Sequence, residues 1–181
     1  GVNFAMDVLR SNSHRVQGDN VENYISAEGK HLVVIGGGDT GSDCIGTANR
    51  HGAISVTQLE ILPRPPETED KATTWPYWPN KLRTSSSQEE GCERLWSIAT
   101  KEFLGDDEGN LNAIRCIKVE WHKDEQGKWQ MSEVAGSEFT LKAELVALAM
   151  GFVHPVHQGM LEELGVELDG RGNVKSATDG L

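Results

Sequence analysis

The residues with the clearest chemical potential lie in one glycine-rich turn. Its sequence is Gly36-Gly-Gly-Asp-Thr-Gly41, and it follows the apolar run His31–Ile35. Glycines spaced G-x-G-x-x-G between a buried strand and a helix are the fingerprint of a dinucleotide-binding turn. Gly36 permits the tight turn, Gly38 leaves room for a pyrophosphate, and Gly41 lets the helix approach the strand. The sequence therefore predicts a dinucleotide site on this turn.

Three further residues of the turn are candidate cofactor-binding residues: Gly37, Asp39 and Thr40. The free N–H groups in the first turn of the following helix, and the positive end of its dipole, favour phosphate there. Two interpretations of the polar side chains stay open. Asp39 and Thr40 either cap the helix by accepting hydrogen bonds from those N–H groups, or Thr40 donates a hydrogen bond to the pyrophosphate.

The choice between NADH and NADPH depends on two residues near the end of the second predicted strand. Glu60 lies 19 residues beyond Gly41, where an acid accepts hydrogen bonds from the ribose hydroxyls of NADH. Arg64 follows four residues later, where a guanidinium can hold a 2′-phosphate. Strand residues alternate faces, so either Leu59 or Glu60 faces the ribose. We predict NADPH, with Arg64 as the discriminating residue and NADH as the alternative.

The elements that position this turn predict an α/β fold. His31–Ile35 is an unalternating apolar run, typical of a strand buried on both faces. Residues 53–62 and 145–150 predict two further strands, and residues 93–103 predict a short helix feeding a strand. Alternating residues and turn signals over 111–134 indicate an antiparallel hairpin. The predicted fold class is a Rossmann-like NAD(P)-binding domain with an antiparallel hairpin annex.

Composition excludes several classes of protein. The 181 residues carry a formal net charge of −11, which argues against nucleic acid and anionic membranes as partners. The longest apolar stretch, Leu145–Val153, is less than half a membrane span. Cys44, Cys92 and Cys116 form no C-x-x-C pair, so we expect reduced thiols, no metal site and a cytoplasmic location. We expect no catalytic side chain, because hydride transfer between cofactors needs none.

Five segments together resemble the small subunit of glutamate synthase: Val33–Thr47, Arg50–Ala53, Leu59–Pro66, Trp75–Pro79 and Leu148–Phe152. The Leu-Glu-Ile-Leu-Pro and Trp-Pro-x-Trp-Pro motifs within them are more specific than the glycine turn. That family is similar in architecture to flavoprotein disulfide reductases, in which an NAD(P)H domain is inserted into an FAD domain. The resemblance implies an oxidoreductase that passes hydride from NADPH to FAD and supports glutamate formation from 2-oxoglutarate and glutamine.

The resemblance also implies a domain organisation. Residues 1–30 would be the end of an FAD-domain segment and a linker, residues 31–152 the NAD(P)H-binding domain, and residues 153–181 the start of the return to the FAD domain. Gly151 marks the crossing and is included among the cofactor-binding residues. Iron–sulfur clusters, the rest of the FAD domain and the glutamate synthase large subunit would come from outside this chain, so we expect the 181 residues alone to be inactive.

Two other functions remain open from the residues alone. An S-adenosylmethionine-dependent methyltransferase also uses a glycine turn and an acid that ends the second strand, here Glu60. A non-catalytic dinucleotide sensor needs only the binding site. The predicted hairpin favours an inserted dinucleotide domain over a methyltransferase sheet. The segment Trp75–Pro79 predicts either a seal on the sheet edge or a docking patch for the flavin domain or the large subunit.

Overall fold

The computed structural model of the chain describes residues 1–69, 71 and 80–176. The chain divides into two compact units, Gly1–Met150 and Gly151–Leu181. The segment Trp75–Pro79 lies outside the described residues, so its predicted role stays a prediction. Among the described residues, no helix combines the length and the apolar character needed to cross a bilayer.

A five-stranded parallel sheet forms the centre of the larger unit. Its strands are β1 (Val2–Phe4), β2 (His31–Ile35), β3 (Ser55–Glu60), β4 (Glu93–Trp96) and, last in the chain, β9 (Leu145–Leu148). They lie in the order β1-β9-β2-β3-β4, and every neighbouring pair is parallel. Strand order reverses beside β2, so the carboxyl end of β2 is a topological switch point, where sheets of this kind bind ligands.

The helices with described bounds are α1 (Ala5–Val16), α2 (Asp39–His51), α3 (Ser86–Glu89) and, in the smaller unit, α4 (Met160–Glu163). Leu32 and Val34 of β2 pack with Ile45 of α2 in one hydrophobic cluster. Val33 belongs to a second cluster on the other face of the sheet. The unalternating apolar run therefore forms a strand buried on both faces, as its sequence predicts.

An antiparallel sheet covers the second face. It consists of β5 (Ile98–Gly105), β6 (Leu111–Lys123), β7 (Trp129–Glu133) and β8 (Phe139–Lys142), with β6 paired to each of the other three. Ile114 and Cys116 of β6 are fully buried and share a cluster with Val33 and Val146 of the parallel sheet. The predicted fold class, an α/β domain with an antiparallel annex, is confirmed.

Two local predictions are wrong. The helical spacing of Val2, Ala5, Met6 and Leu9 predicts a short amphipathic helix that ends near Arg10. Instead, Val2–Phe4 form strand β1 beside β9, and the helix runs from Ala5 to Val16. Residues 93–103 read as a short helix feeding a strand, but Glu93–Trp96 extend along β3 instead. In both places the backbone pairs with an existing strand, and this tertiary pairing overrides the local helical pattern.

The smaller unit is short and contains little regular structure. Apart from α4, its described part holds one isolated antiparallel bridge, between Leu168 and Val174. The imidazole rings of His154 and His157 stack with centroids 4.4 Å apart. His157 Nε2 lies 2.8 Å from the carbonyl oxygen of Gly172, which ties the stacked pair to the bridge turn.

Candidate dinucleotide site

The three fingerprint glycines of the turn between β2 and α2 differ in the room they leave for a side chain. Gly36 has φ +125°, and a Cβ there would collide with the carbonyl oxygen of Ala149. A Cβ at Gly41 would lie 2.6 Å from the carbonyl oxygen of Gly36. A Cβ at Gly38 would meet nothing within 4 Å. The fold itself therefore requires glycine at Gly36 and Gly41, whereas the space above Gly38 is free for a ligand.

Helix α2 begins without a side-chain cap. Its N-cap is Gly38, in extended conformation, and no side chain among the described residues caps the helix end. Asp39 is the first helical residue rather than the cap, so the interpretation of Asp39 and Thr40 as capping residues is wrong. The first-turn N–H groups thus face the open side of the turn, and N–H groups in this position can bind phosphate oxygens.

A buried polar network holds the turn from below. Gln58 on β3 is 2% exposed, and its Nε2 donates to the carbonyl oxygen of Gly36 at 2.9 Å. Its Oε1 accepts from Gln88 Nε2 at 2.9 Å. Gln88 forms a capping box with Ser85 at the start of α3, and Ser85 Oγ lies 3.0 Å from Ser42 Oγ on α2. The network fixes the turn against two helices.

Sequence reasoning did not identify this network. A glutamine in a strand at the centre of the predicted sheet is the signal that was available, because a buried amide requires hydrogen-bond partners. Its partner, Gln88, lies 30 residues away, and no local pattern connects the two residues.

Glu60, the last residue of β3, faces the glycine turn. A Cβ at Gly37 would collide with Oε2 of Glu60, whereas Leu59 is 1% exposed and points into the core. Of the two residues that strand alternation left open, Glu60 is therefore the one on the side of the glycine turn. A carboxylate at this position can accept hydrogen bonds from the hydroxyls of a ribose.

Arg64 lies beyond Glu60 in a cleft of about 490 Å³ whose lining also includes Glu60 and Gly37. Its Nη2 is 3.3 Å from Oε1 of Glu67, and its guanidinium carbon lies 5.5 Å from the ring centroid of Trp96. The pair with Glu67 is solvent-exposed and contributes little to stability. Arg64 therefore lies near the predicted ribose position. Its guanidinium is placed over the ring of Trp96, and its ion pair with Glu67 is exposed.

Four residues of the cleft were not identified from the sequence: Arg94, Trp96, Trp121 and Trp129. The guanidinium carbon of Arg94 lies 5.0 Å from the ring centroid of Trp96. Trp121 and Trp129 belong to the antiparallel annex, far along the chain from the glycine turn. Only the tertiary fold brings these residues to the carboxyl ends of β3 and β4.

The cysteines do not form a redox centre among themselves. Cys44, Cys92 and Cys116 are all free. Burial raises the pKa of Cys44 to about 12 and the pKa values of Cys92 and Cys116 to about 11, so the three thiols stay protonated near neutral pH. Among the described residues there is also no group of three or more His, Cys, Asp or Glu side chains placed to hold a metal ion.

Gly151 is the first residue of the smaller unit. It has φ +88°, a conformation that favours glycine, and a Cβ there would meet nothing within 4 Å. Its backbone geometry is a sufficient reason for a glycine at this position. Its inclusion among the cofactor-binding residues stays a prediction.

Comparison with known proteins places this site in a family. The chain is 45% identical over 184 aligned residues to the glutamate synthase [NADPH] small chain of Mycobacterium tuberculosis, covering 99% of this chain and 36% of that protein. It is 41% identical over 186 residues to glutamate synthase [NADH] of Schizosaccharomyces pombe, covering 98% of this chain and 9% of that protein. These alignments confirm the resemblance, and the chain spans only part of each relative's length.

The fold is also similar to that of solved structures. The structure of M. tuberculosis FprA in complex with NADPH superposes with a TM-score of 0.56 at 13% identity, covering 84% of this chain and 44% of FprA. The sequence profile described as "Pyridine nucleotide-disulphide oxidoreductase" matches residues 5–180. The chain therefore belongs to the pyridine nucleotide-disulphide oxidoreductase family.

Proposed function

We propose that this chain is the NAD(P)H-binding part of a glutamate synthase small chain. In this role it holds the reduced nicotinamide nucleotide at the Gly36–Gly41 turn and orients it toward an FAD bound mainly by sequence outside the 181 residues. When bound, the two cofactors would supply hydride transfer from nucleotide to flavin, with the electrons directed toward glutamate formation from 2-oxoglutarate and glutamine. The protein's own contribution is orientation and electrostatic stabilisation.

The observation that carries this proposal is the free space beside Gly38, where a Cβ would meet nothing, although backbone oxygens leave no room for a Cβ at Gly36 and Gly41. Gly36 and Gly41 shape the turn, and the uncapped start of α2 leaves N–H groups for the pyrophosphate. Glu60 stands at the ribose position beside Gly37. Phosphate donors and a ribose acceptor therefore lie in the order in which a dinucleotide would need them.

For the donor we propose NADPH rather than NADH. Arg64 and Arg94 line the same cleft as Glu60, so two guanidiniums are available to a 2′-phosphate against one carboxylate. Glu60 would then accept from the remaining 3′-hydroxyl. The names of the relatives include both NADPH and NADH, so the residues of this cleft supply the argument for NADPH.

The partners belong to the same proposal. We infer that the rest of the FAD domain, iron–sulfur clusters and the glutamate synthase large subunit complete the enzyme in the cytoplasm. Exposed apolar side chains near the start of each of the two units support docking to further protein. Phe4 is 68% exposed in the larger unit, and Phe152 is 86% exposed in the smaller unit.

Calorimetric titration of the 181-residue chain with NADPH, NADH and S-adenosylmethionine tests the proposed function. We expect NADPH to bind at least tenfold more tightly than NADH, and S-adenosylmethionine to give no heat of binding. Binding of S-adenosylmethionine alone would show a methyltransferase-type site and overturn the proposal. NADH binding more tightly than NADPH would leave the dinucleotide site in place and overturn the donor assignment.

A further inference from the structure

The cleft beside Glu60 extends beyond what a ribose and its phosphate need. It opens at the carboxyl ends of β3 and β4, on the side of β2 away from β9. In sheets of this kind the adenosine half of a dinucleotide lies over the first strand–helix–strand unit, here β2-α2-β3. If the proposed function is correct, the adenine base therefore enters this cleft.

All three tryptophans that the structure describes line the cleft. Trp96 ends β4 and is in register with Glu60 of β3. Trp121 and Trp129 come from the β6–β7 hairpin, where Trp129 is paired with Lys123. An accumulation of indole rings beside a ribose acceptor is suited to stacking on a flat, electron-poor base.

A hydrogen bond fixes the hairpin to the nucleotide side of the parallel sheet. Trp121 Nε1 donates to the carbonyl oxygen of Ile61 at 2.9 Å, immediately after Glu60. Trp129 is 58% exposed, and Lys123 Nζ lies 5.2 Å from its ring centroid. Trp121 therefore holds the hairpin in place, while Trp129 keeps a large aromatic surface open to the cleft.

Arg94 contributes a second guanidinium to the same cleft. Its Nη1 donates to the carbonyl oxygen of Arg83 at 3.0 Å. Its Nε is buried and has no hydrogen-bond partner within the part of the chain that the structure describes. Arg94 lines the cleft, and its guanidinium adds positive charge beside the carboxylate of Glu60.

We propose that the antiparallel annex completes the adenine subsite of this chain. Trp129 supplies the stacking surface for the base. Trp121 acts as the positioning residue that holds the hairpin against the loop after β3. Trp96, with the guanidiniums of Arg64 and Arg94 beside its ring, forms a further part of the cleft wall. The annex thus has a binding role in addition to covering the second face of the sheet.

Titration with adenosine 2′,5′-bisphosphate, which contains the adenine half but no nicotinamide, tests this proposal. Trp129→Leu should weaken its binding by about 5- to 150-fold, the range for loss of one base–aromatic stack. Trp129→Phe keeps a ring and should restore most of the affinity. Phe103→Leu is the matched control, because Phe103 is an exposed aromatic of the annex outside the cleft lining.

The outcomes separate this proposal from the proposed function. If wild-type protein binds NADPH and Trp129→Leu binds the bisphosphate within twofold of wild type, the adenine platform is overturned and the dinucleotide site stands. If wild-type protein binds neither ligand, both proposals are overturned. Loss of binding in Trp129→Leu, restored in Trp129→Phe and absent in Phe103→Leu, supports a stacking role, which a general structural defect would not reproduce.

Discussion

Replacing Gly38 with valine tests the dinucleotide site most directly, because the structure separates its effect on binding from its effect on folding. The Gly38 backbone has φ −83° and ψ −174°, an extended conformation that valine adopts without strain. A Cβ at this position meets nothing within 4 Å, so the new side chain creates no clash within the described residues. It would instead occupy the space where a pyrophosphate must approach the backbone.

The expected magnitudes follow from that geometry. Valine is a poorer N-cap than glycine, so the variant should lose about 1 kcal/mol of stability, or about 2–4 °C in melting temperature for a chain of this size. NADPH affinity should fall at least tenfold, about 1.4 kcal/mol. Calorimetry measures the affinity, and circular dichroism melts measure the stability.

Two further variants serve as controls for Gly38→Val. Gly170→Val also places a Cβ in open space, and it should change neither NADPH affinity nor melting temperature by a measurable amount. Gly41→Ala places a Cβ 2.6 Å from the backbone oxygen of Gly36, so it should destabilise the fold as well as the site. A folded Gly38→Val protein that binds NADPH within threefold of wild type would refute the assignment of the turn.

Three other predictions concern the cofactor choice, the buried network and the response to acid. Arg64→Ala should weaken NADPH binding by about 1.5–3 kcal/mol and leave NADH binding nearly unchanged. Equal losses of affinity for both nucleotides would show that Arg64 has a structural role. Glu60→Gln removes the carboxylate charge, so it should strengthen NADPH binding relative to NADH binding. Gln58→Leu leaves the carbonyl of Gly36 and the amide of its partner glutamine unpaired, so chemical denaturation should show a loss of about 1–3 kcal/mol; an unchanged denaturation midpoint would contradict the role of the network. Burial, and secondarily a nearby arginine, lowers the pKa of His51, so the unfolded chain takes up a proton at higher pH than the folded chain. Stability should therefore fall as pH drops below about 6.5, and this fall should be smaller in His51→Gln. The same change of melting temperature in both proteins between pH 5 and pH 7.5 would show that His51 is not responsible.

The elements that could be predicted from the sequence are those defined by local pattern. The apolar run of β2 and the glycine spacing after it occupy consecutive residues, and both were confirmed in the structure. The requirement for glycine at Gly41 follows from the same local geometry, whereas the carbonyl oxygen that a Cβ at Gly36 would meet belongs to the distant Ala149. Local sequence is sufficient here because a strand, a turn and a helix start constrain one another over about ten residues.

The features that could not be predicted depend on contacts distant in sequence. Trp121 reaches the loop after β3 through a hydrogen bond that spans 60 residues. Glu93–Trp96 became a strand because the edge of β3 was available for pairing, a circumstance absent from the local pattern. The direction of Glu60 required the register of β3, since a shift of one residue would have exchanged its position with that of Leu59.

The anchoring of the segment that joins β3 to α3 has a consequence for chain length. Glu60, the residue before this segment, lies against Gly37 of the turn, and Ser85, the residue after it, contacts Ser42 of α2. Both ends of residues 61–84 are therefore fixed to the same turn and helix. The entropy of closing such a loop rises only with the logarithm of its length, by about 0.6 kcal/mol for each doubling. Insertions in this segment should therefore be tolerated while the nucleotide site keeps its shape, which makes it a natural place for related chains to acquire new surfaces.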